Sequence, residues 1–178
     1  MYHKQANKTA IQSQHMIADA LLSLMERKRF QQITVTEICE EAAIGRKTFY
    51  RNFELKEDVI DFQLDELCAE FEQEMIGKSP EEQLFFYFSF SQRHIRFFQA
   101  MYLNELFPTL QRKFSKYLPA TMPIWSKNPV DQEYFSCFVI AGIQAIMQVW
   151  VERGFQENIE KVVELARQAS GININLSK

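Results

Sequence analysis

Residues 34–58 leave room for two short helices and almost nothing between them, and this spacing constrains the fold more than any other feature of the chain. Thr34-Val-Thr-Glu37 has the form of a capping box, in which the threonine hydroxyl takes the Glu37 amide and the glutamate reaches back. Val35, Ile38 and Ala42 then fall on one inward face. Ala43-Ile44-Gly45 allows only a tight turn, with Gly45 as a workable N-cap for the next helix, though a poorer one than Ser or Thr. That helix and its exit crowd Arg46, Lys47, Thr48, Tyr50, Arg51, Asn52 and Lys56 around Phe49 and Phe53, which are expected in the core.

The rest of the chain reads as helical too. Ile11, Ala18, Leu21, Leu22 and Met25 recur at three- and four-residue steps, predicting an amphipathic helix over 9–28 with Arg27-Lys28-Arg29 in its last turn, where cations complement the dipole. A fourth helix is expected from Leu55 or Lys56 to about Ile76, ended by Gly77. Ser79-Pro80-Glu81-Glu82 then opens another in capping-box form. Residues 84–107 are densely aromatic, and Pro108, Pro119, Pro123 and Pro129 break the chain into shorter helices and a loop near 119–130. A long apolar helix is expected over 131–153, ended by Gly154. A last amphipathic helix presents Ile159, Val162, Val163 and Ala166 on one face, with Glu157 and Lys161 as an i,i+4 pair. Only 5 Gly and 5 Pro in 178 residues argue against a meander of short strands. The expected class is all-α, with a division into residues 1–54 and 55–178.

Charge sharpens the division. Residues 1–53 carry 8 Lys/Arg against 5 Asp/Glu, or +3, and the remainder carries 12 against 18, or -6. A basic head on an acidic body suits a protein that offers one end to phosphates. A short helix rich in cations and donors on an apolar platform is the physical recipe for entering a DNA groove. Arg46 and Lys47, at its start, are best placed for guanine edges. Thr48, Tyr50 and Asn52 can donate to phosphates or bases, Lys56 at the next N-terminus reads as a phosphate clamp, and Thr36 is a further phosphate candidate. The bland alternative is a solvated basic face, which the ordered spacing disfavours for the set.

Residues 9 to about 60 resemble the N-terminal domain of the TetR family of bacterial transcription regulators. The first amphipathic helix, the Thr-x-x-Glu cap and Ala42-Ala43-Ile44-Gly45-Arg46-Lys47-Thr48-Phe49-Tyr50-Arg51-Asn52-Phe53, followed by Lys56-Glu57-Asp58-Val59, carry the resemblance. Two residues depart from the pattern: Ala43 replaces the usual turn glycine, at a cost of roughly 1 kcal/mol, and Gly45 replaces the usual Ser or Thr cap. The resemblance implies a homodimer that places residues 46–52 of each copy in successive major grooves of double-stranded DNA. It also implies a C-terminal domain whose last two helices form a four-helix bundle with their mates, and commonly a small effector that moves the heads apart.

Two features of the C-terminal part can be set against that implication. Phe138, Gly142, Ile143, Ile146, Met147 and Trp150 form a stripe, while Ile140, Ala141, Ala145 and Val149 make another side apolar as well, so the helix needs partners on two sides. With Ile159 and Val163 these are the expected dimer contacts; the alternative is a central helix in a monomeric core. Phe88, Phe97, Phe98, Met101, Tyr102 and Trp125, with His94 to orient a polar end, could wall a cavity for an apolar or aromatic effector. Packed aromatics are more often simply core.

Other classes fare badly. Tyr134–Val151 is uncharged but sits at the lower length limit for a membrane span and includes Ser136, Gln144 and Gln148, so no membrane is expected. Three cysteines without a Cys-x-x-Cys pair show no disulfide framework, and the N-terminus lacks a signal-peptide pattern, which together fit the cytoplasm. There is no Gly-x-Ser-x-Gly, His-Glu-x-x-His or P-loop, and His3, His15 and His94 lack zinc spacing, so no catalytic residue, metal or cofactor is expected. The expected function is a DNA-binding transcription regulator, most simply a repressor released by a small molecule. A helical co-regulator working with a second protein is the rival, and a ligand carrier the third reading.

Overall fold

The structure, a computed structural model, describes residues 2, 7–114 and 126–170. Among them nine α-helices and one 3-10 turn account for the regular structure, and the sole β feature is an isolated antiparallel bridge between Tyr2 and Phe53. The chain divides into two compact units, Met1–Glu70 and Phe71–Lys178.

In the first unit, α1 (Lys8–Met25) opens on Asn7, whose side chain accepts the Thr9 amide, and buries Ile17, Leu21 and Met25. It ends before Arg27, so the expected basic last turn does not form. The cations serve α2 (Val35–Glu41) instead: Arg27 Nη2 lies 2.8 Å from Glu41 Oε1 and Lys28 Nζ 2.6 Å from Glu37 Oε1. A 3-10 turn, Phe30–Gln32, leads into the Thr34–Glu37 capping box, which forms as expected. Ala43 takes the left-handed conformation with φ +51° and turns the chain into α3 (Arg46–Asn52), capped by the extended Gly45.

α4 (Lys56–Met75) contains the division between the units, which therefore falls later than the expected 54/55 boundary. The reason is packing. Val59, Ile60, Phe62 and Leu64 are buried, and the Phe62 ring meets Phe53 edge-on at 5.8 Å, so the first half of this helix completes the core beneath α3.

The second unit holds the last turn of α4 with α5 (Pro80–Arg93), α6 (Ile95–Leu103), α7 (Phe107–Phe114), α8 (Pro129–Glu152) and α9 (Ile159–Ser170). Its core is aromatic: the Phe71 ring lies 5.2–5.4 Å from Phe86, Phe90 and Phe114. Trp150 meets Phe88 at 5.9 Å and Phe155 at 4.7 Å, and its indole N–H donates to the Glu157 carbonyl at 3.0 Å. Gly154, with φ +68°, lets the chain fold back after α8. Glu157 pairs with Arg153, not Lys161, because it precedes α9 instead of starting it.

Candidate nucleic-acid interface

α3 has two chemically opposite sides. Phe49 and Phe53 are fully buried and their rings pack at 5.9 Å, anchoring the helix to its platform. Arg46, Lys47, Tyr50 and Arg51 are exposed, Thr48 is half-buried, and Thr36 is exposed on the first turn of α2. The Arg46 guanidinium sits 5.9 Å from the Tyr50 ring centre. That pairing one helical turn apart pre-orients a long side chain and lowers the entropy lost when it meets a base edge.

Two expected contacts turn out to be structural. Asn52 is fully buried: its amide donates to the Thr48 carbonyl at 2.8 Å, and its Oδ1 has no hydrogen-bond partner among the described residues. It cannot donate to a duplex because it lies on the Phe49 side of the helix. Lys56 is no phosphate clamp. Its ammonium donates to the carbonyls of Phe30, Gln31 and Ile33 at 2.7, 3.2 and 2.8 Å and lies 4.6 Å from the Phe30 ring centre. Three carbonyls of the turn before α2 thus gain a charged donor, which ties the entry of α2 to the start of α4.

The support beneath α2 is likewise ionic. Glu37 accepts the Thr34 amide and hydroxyl, each at 2.9 Å, besides Lys28. Its carboxyl is held down to about 2, first by the Lys28 hydrogen bond and then by those from Thr34. Asp58 Oδ2 accepts the amides of Glu54 and Leu55 at 3.1 and 3.0 Å, closing the loop after α3. Tyr2 was not anticipated in this role: its ring packs edge-on against Phe62 at 5.4 Å and its hydroxyl donates to Asp65 at 2.8 Å. Burial, then Asp65, raises that hydroxyl to about 12. An aromatic two residues from the start offered no periodicity from which to infer it.

The remaining expected sites lie in the second unit. Phe88, Phe97, Phe98 and Met101 are buried, with Phe98 6.2 Å from Phe114 and 6.3 Å from Phe97, which supports the packed-core reading of these four. Tyr102 is half-buried; His94 caps α6 with its ring 4.5 Å from Phe90. Trp125 lies outside the described residues. On α8 the expected stripe is split between two faces. Ile143, Met147 and Trp150 face their own core, as does Val163 on α9; Ile146 and Ile159 are half-buried, and Phe138 and Gly142 are exposed. The open face runs through Tyr134, Phe138, Ala141, Ala145 and Val149, with Tyr134 74% and Phe138 71% exposed. Among the described residues α8 alone is long and apolar enough to cross a membrane, yet its other side packs on α6 and α9. Cys39 and Cys68 are buried, and burial pushes the Cys39 thiol up; Cys137 is exposed.

A short cation-bearing helix behind a tight turn, followed along the chain by a second unit that is helical among the described residues, is a combination with known relatives. Residues 78–170, more than half of the chain, match a TetR family description, the transcriptional regulator C-terminal region. The chain belongs to the TetR family of transcriptional regulators. The HTH-type dhaKLM operon transcriptional activator DhaS of Lactococcus lactis subsp. lactis (strain IL1403) is 35% identical over 63 residues, covering 35% of this chain and 34% of that protein. The match therefore spans about a third of that relative. Among solved structures, a dihydroxyacetone kinase operon activator DhaS aligns with TM-score 0.67 and 19% identity over 90% of this chain and 94% of its own. A TetR transcriptional regulator from Streptococcus agalactiae 2603V aligns with TM-score 0.73 and 16% identity, covering 92% and 96%. At such identities the two structures speak to the TetR fold alone, while the family match itself identifies transcriptional regulators.

Proposed function

We propose that this TetR-family chain is a cytoplasmic homodimer that binds double-stranded DNA in a sequence-specific way. Each copy sets α3 in a major groove: Arg46 and Lys47 read base edges, and Thr36, Thr48, Tyr50 and Arg51 hold phosphates. The observation that carries this reading is the exposure of Arg46, Lys47, Tyr50 and Arg51 on a helix whose opposite side is locked by Phe49. The open apolar face of α8, with α9 beside it, is the surface for the second copy, because soluble monomers rarely leave so large an apolar stripe in water. A small apolar or aromatic effector regulates the dimer by binding its DNA-incompetent arrangement better than its competent one; otherwise nothing shifts.

The test is selection of genomic fragments by the purified chain, followed by gel shifts of those fragments at rising salt. Affinity should fall steeply, by about a thousandfold between low and moderate salt for several phosphate contacts. A flat salt response would reject the reading in favour of a protein-interaction module. Repression by occupancy is the simplest outcome of such binding. A second reading has its own support: the relative at 35% identity is named an activator, so bound protein would raise transcription. A promoter fused to a reporter, with and without the chain, decides between the two.

A further inference from the structure

We propose that the groove formed by the α4–α5 turn, α5 and α9 binds a small amphipathic monocarboxylate, an acid group carried on an aromatic or short apolar body. The cavity, of about 460 Å³, is lined by Lys78, Glu82, Phe85, Phe86, Ser89 and Arg167, a size within the range of small-molecule sites. Phe88, Phe98 and Met101, which are spent on core packing, are not among its lining residues.

Its chemistry has two halves. Phe85 is 43% exposed, and with Phe86 it supplies an aromatic wall. Lys78 and Arg167 supply the cations. Lys78 is positioned, not merely present: it follows Gly77 in a left-handed turn with φ +79°, its amide donates to the Met75 carbonyl, and its own carbonyl accepts Gln83 Nε2 at 2.8 Å. Its ammonium rests 4.9 Å from the Phe86 ring centre, above the apolar wall. Glu82 is committed to the start of α5, where its carboxylate accepts the Ser79 amide at 2.7 Å. Among the described lining residues two cations stand against one carboxylate, a balance that suits a monoanion. A phosphate dianion would bring excess charge and nothing to cover the aromatic wall.

As a binding site the groove does not depend on the DNA reading; as the effector site it rests on it, and the experiment separates the two. Titration calorimetry of the full chain uses phenylacetate, its neutral counterpart 2-phenylethanol, and inorganic phosphate. One saturable phenylacetate site per chain is expected, with little binding of the other two. Lys78→Gln and Arg167→Gln should each weaken it by roughly tenfold, the effect of one charge-assisted hydrogen bond. Lys78→Arg should retain binding, and all variants should melt like the parent. No saturation by about 10 mM, or parental affinity in both Gln variants, overturns the site. Phosphate binding as tightly as phenylacetate also overturns it, reducing the groove to an anion patch. Gel shifts run in parallel then read coupling: phenylacetate binding that leaves DNA affinity unchanged keeps the site and rejects its role as effector site.

Discussion

α3 and α8 each bury one face and leave the other open, yet they are built for different neighbours. α3 is seven residues long and anchored through Phe49; what it leaves open is charged and donor-rich. α8 is 24 residues long and anchored through Ile143, Met147 and Trp150; what it leaves open is aromatic and aliphatic. A polar outer face is stable in water and can wait for a duplex. An apolar outer face is not, so it implies a partner that is present most of the time. The contrast teaches that the anchor side sets where a helix lies, and the open side sets what it meets.

The sharpest way to break this comparison is on α8 itself. Met147→Ala should destabilise the fold by about 2–5 kcal/mol, because it empties a fully buried site. Phe138→Arg should leave the fold of one copy intact but weaken self-association by roughly a hundredfold, the scale of an interface hot spot. Chemical denaturation and sedimentation read the two separately. If Phe138→Arg unfolds the chain while the dimer persists, the face assignment is reversed.

Lys56→Met comes next, with an expected loss of about 1–3 kcal/mol from three carbonyls deprived of a charged donor. Urea unfolding gives the loss, and the salt slope of DNA binding should not change. A slope smaller by about one would restore the phosphate-clamp role.

Within α3, Arg46→Ala should relax base preference by about 1–3 kcal/mol at one position, whereas Arg51→Ala should weaken binding evenly across sequences. Gel shifts on a panel of single-base operator variants would expose any failure of that division. Tyr50→Phe, which keeps the ring beside the Arg46 guanidinium, should cost a fraction of the Arg46 effect at the same base.

The smallest effect concerns acid. The Glu37 carboxyl is lowered in the folded chain to about 2 by Lys28 and Thr34, so its contribution is complete above the ordinary glutamate value and is lost as pH falls through about 2. Glu37→Gln should flatten the acid limb of a stability-versus-pH curve. An unchanged limb would mean that the ion pair contributes little, as exposed pairs often do.

Legibility differed by region for physical reasons. The capping boxes at Thr34 and Ser79, the Ala43 turn and the glycine stops at 77 and 154 were readable because each is a local interaction spanning three or four residues. The roles of Lys56 and Asn52 were not. A cation beside a predicted helix start looks the same whether it meets a phosphate or the carbonyls of Phe30, Gln31 and Ile33, which lie far back in the chain. Likewise, α8 is apolar nearly all round, so periodicity showed that it needs two partners without showing which residues face which.

The amino-acid order by itself determined the helical class, the two short helices with their turn, and the cations on the second of them, since all three follow from near neighbours along the chain. Only the tertiary structure decided that Lys56 and Asn52 turn inward, that α4 belongs to the first unit except for its last turn, and that Tyr134 and Phe138 stand open while Met147 is enclosed. Those outcomes depend on which distant surfaces exclude water together, and no local pattern encodes that.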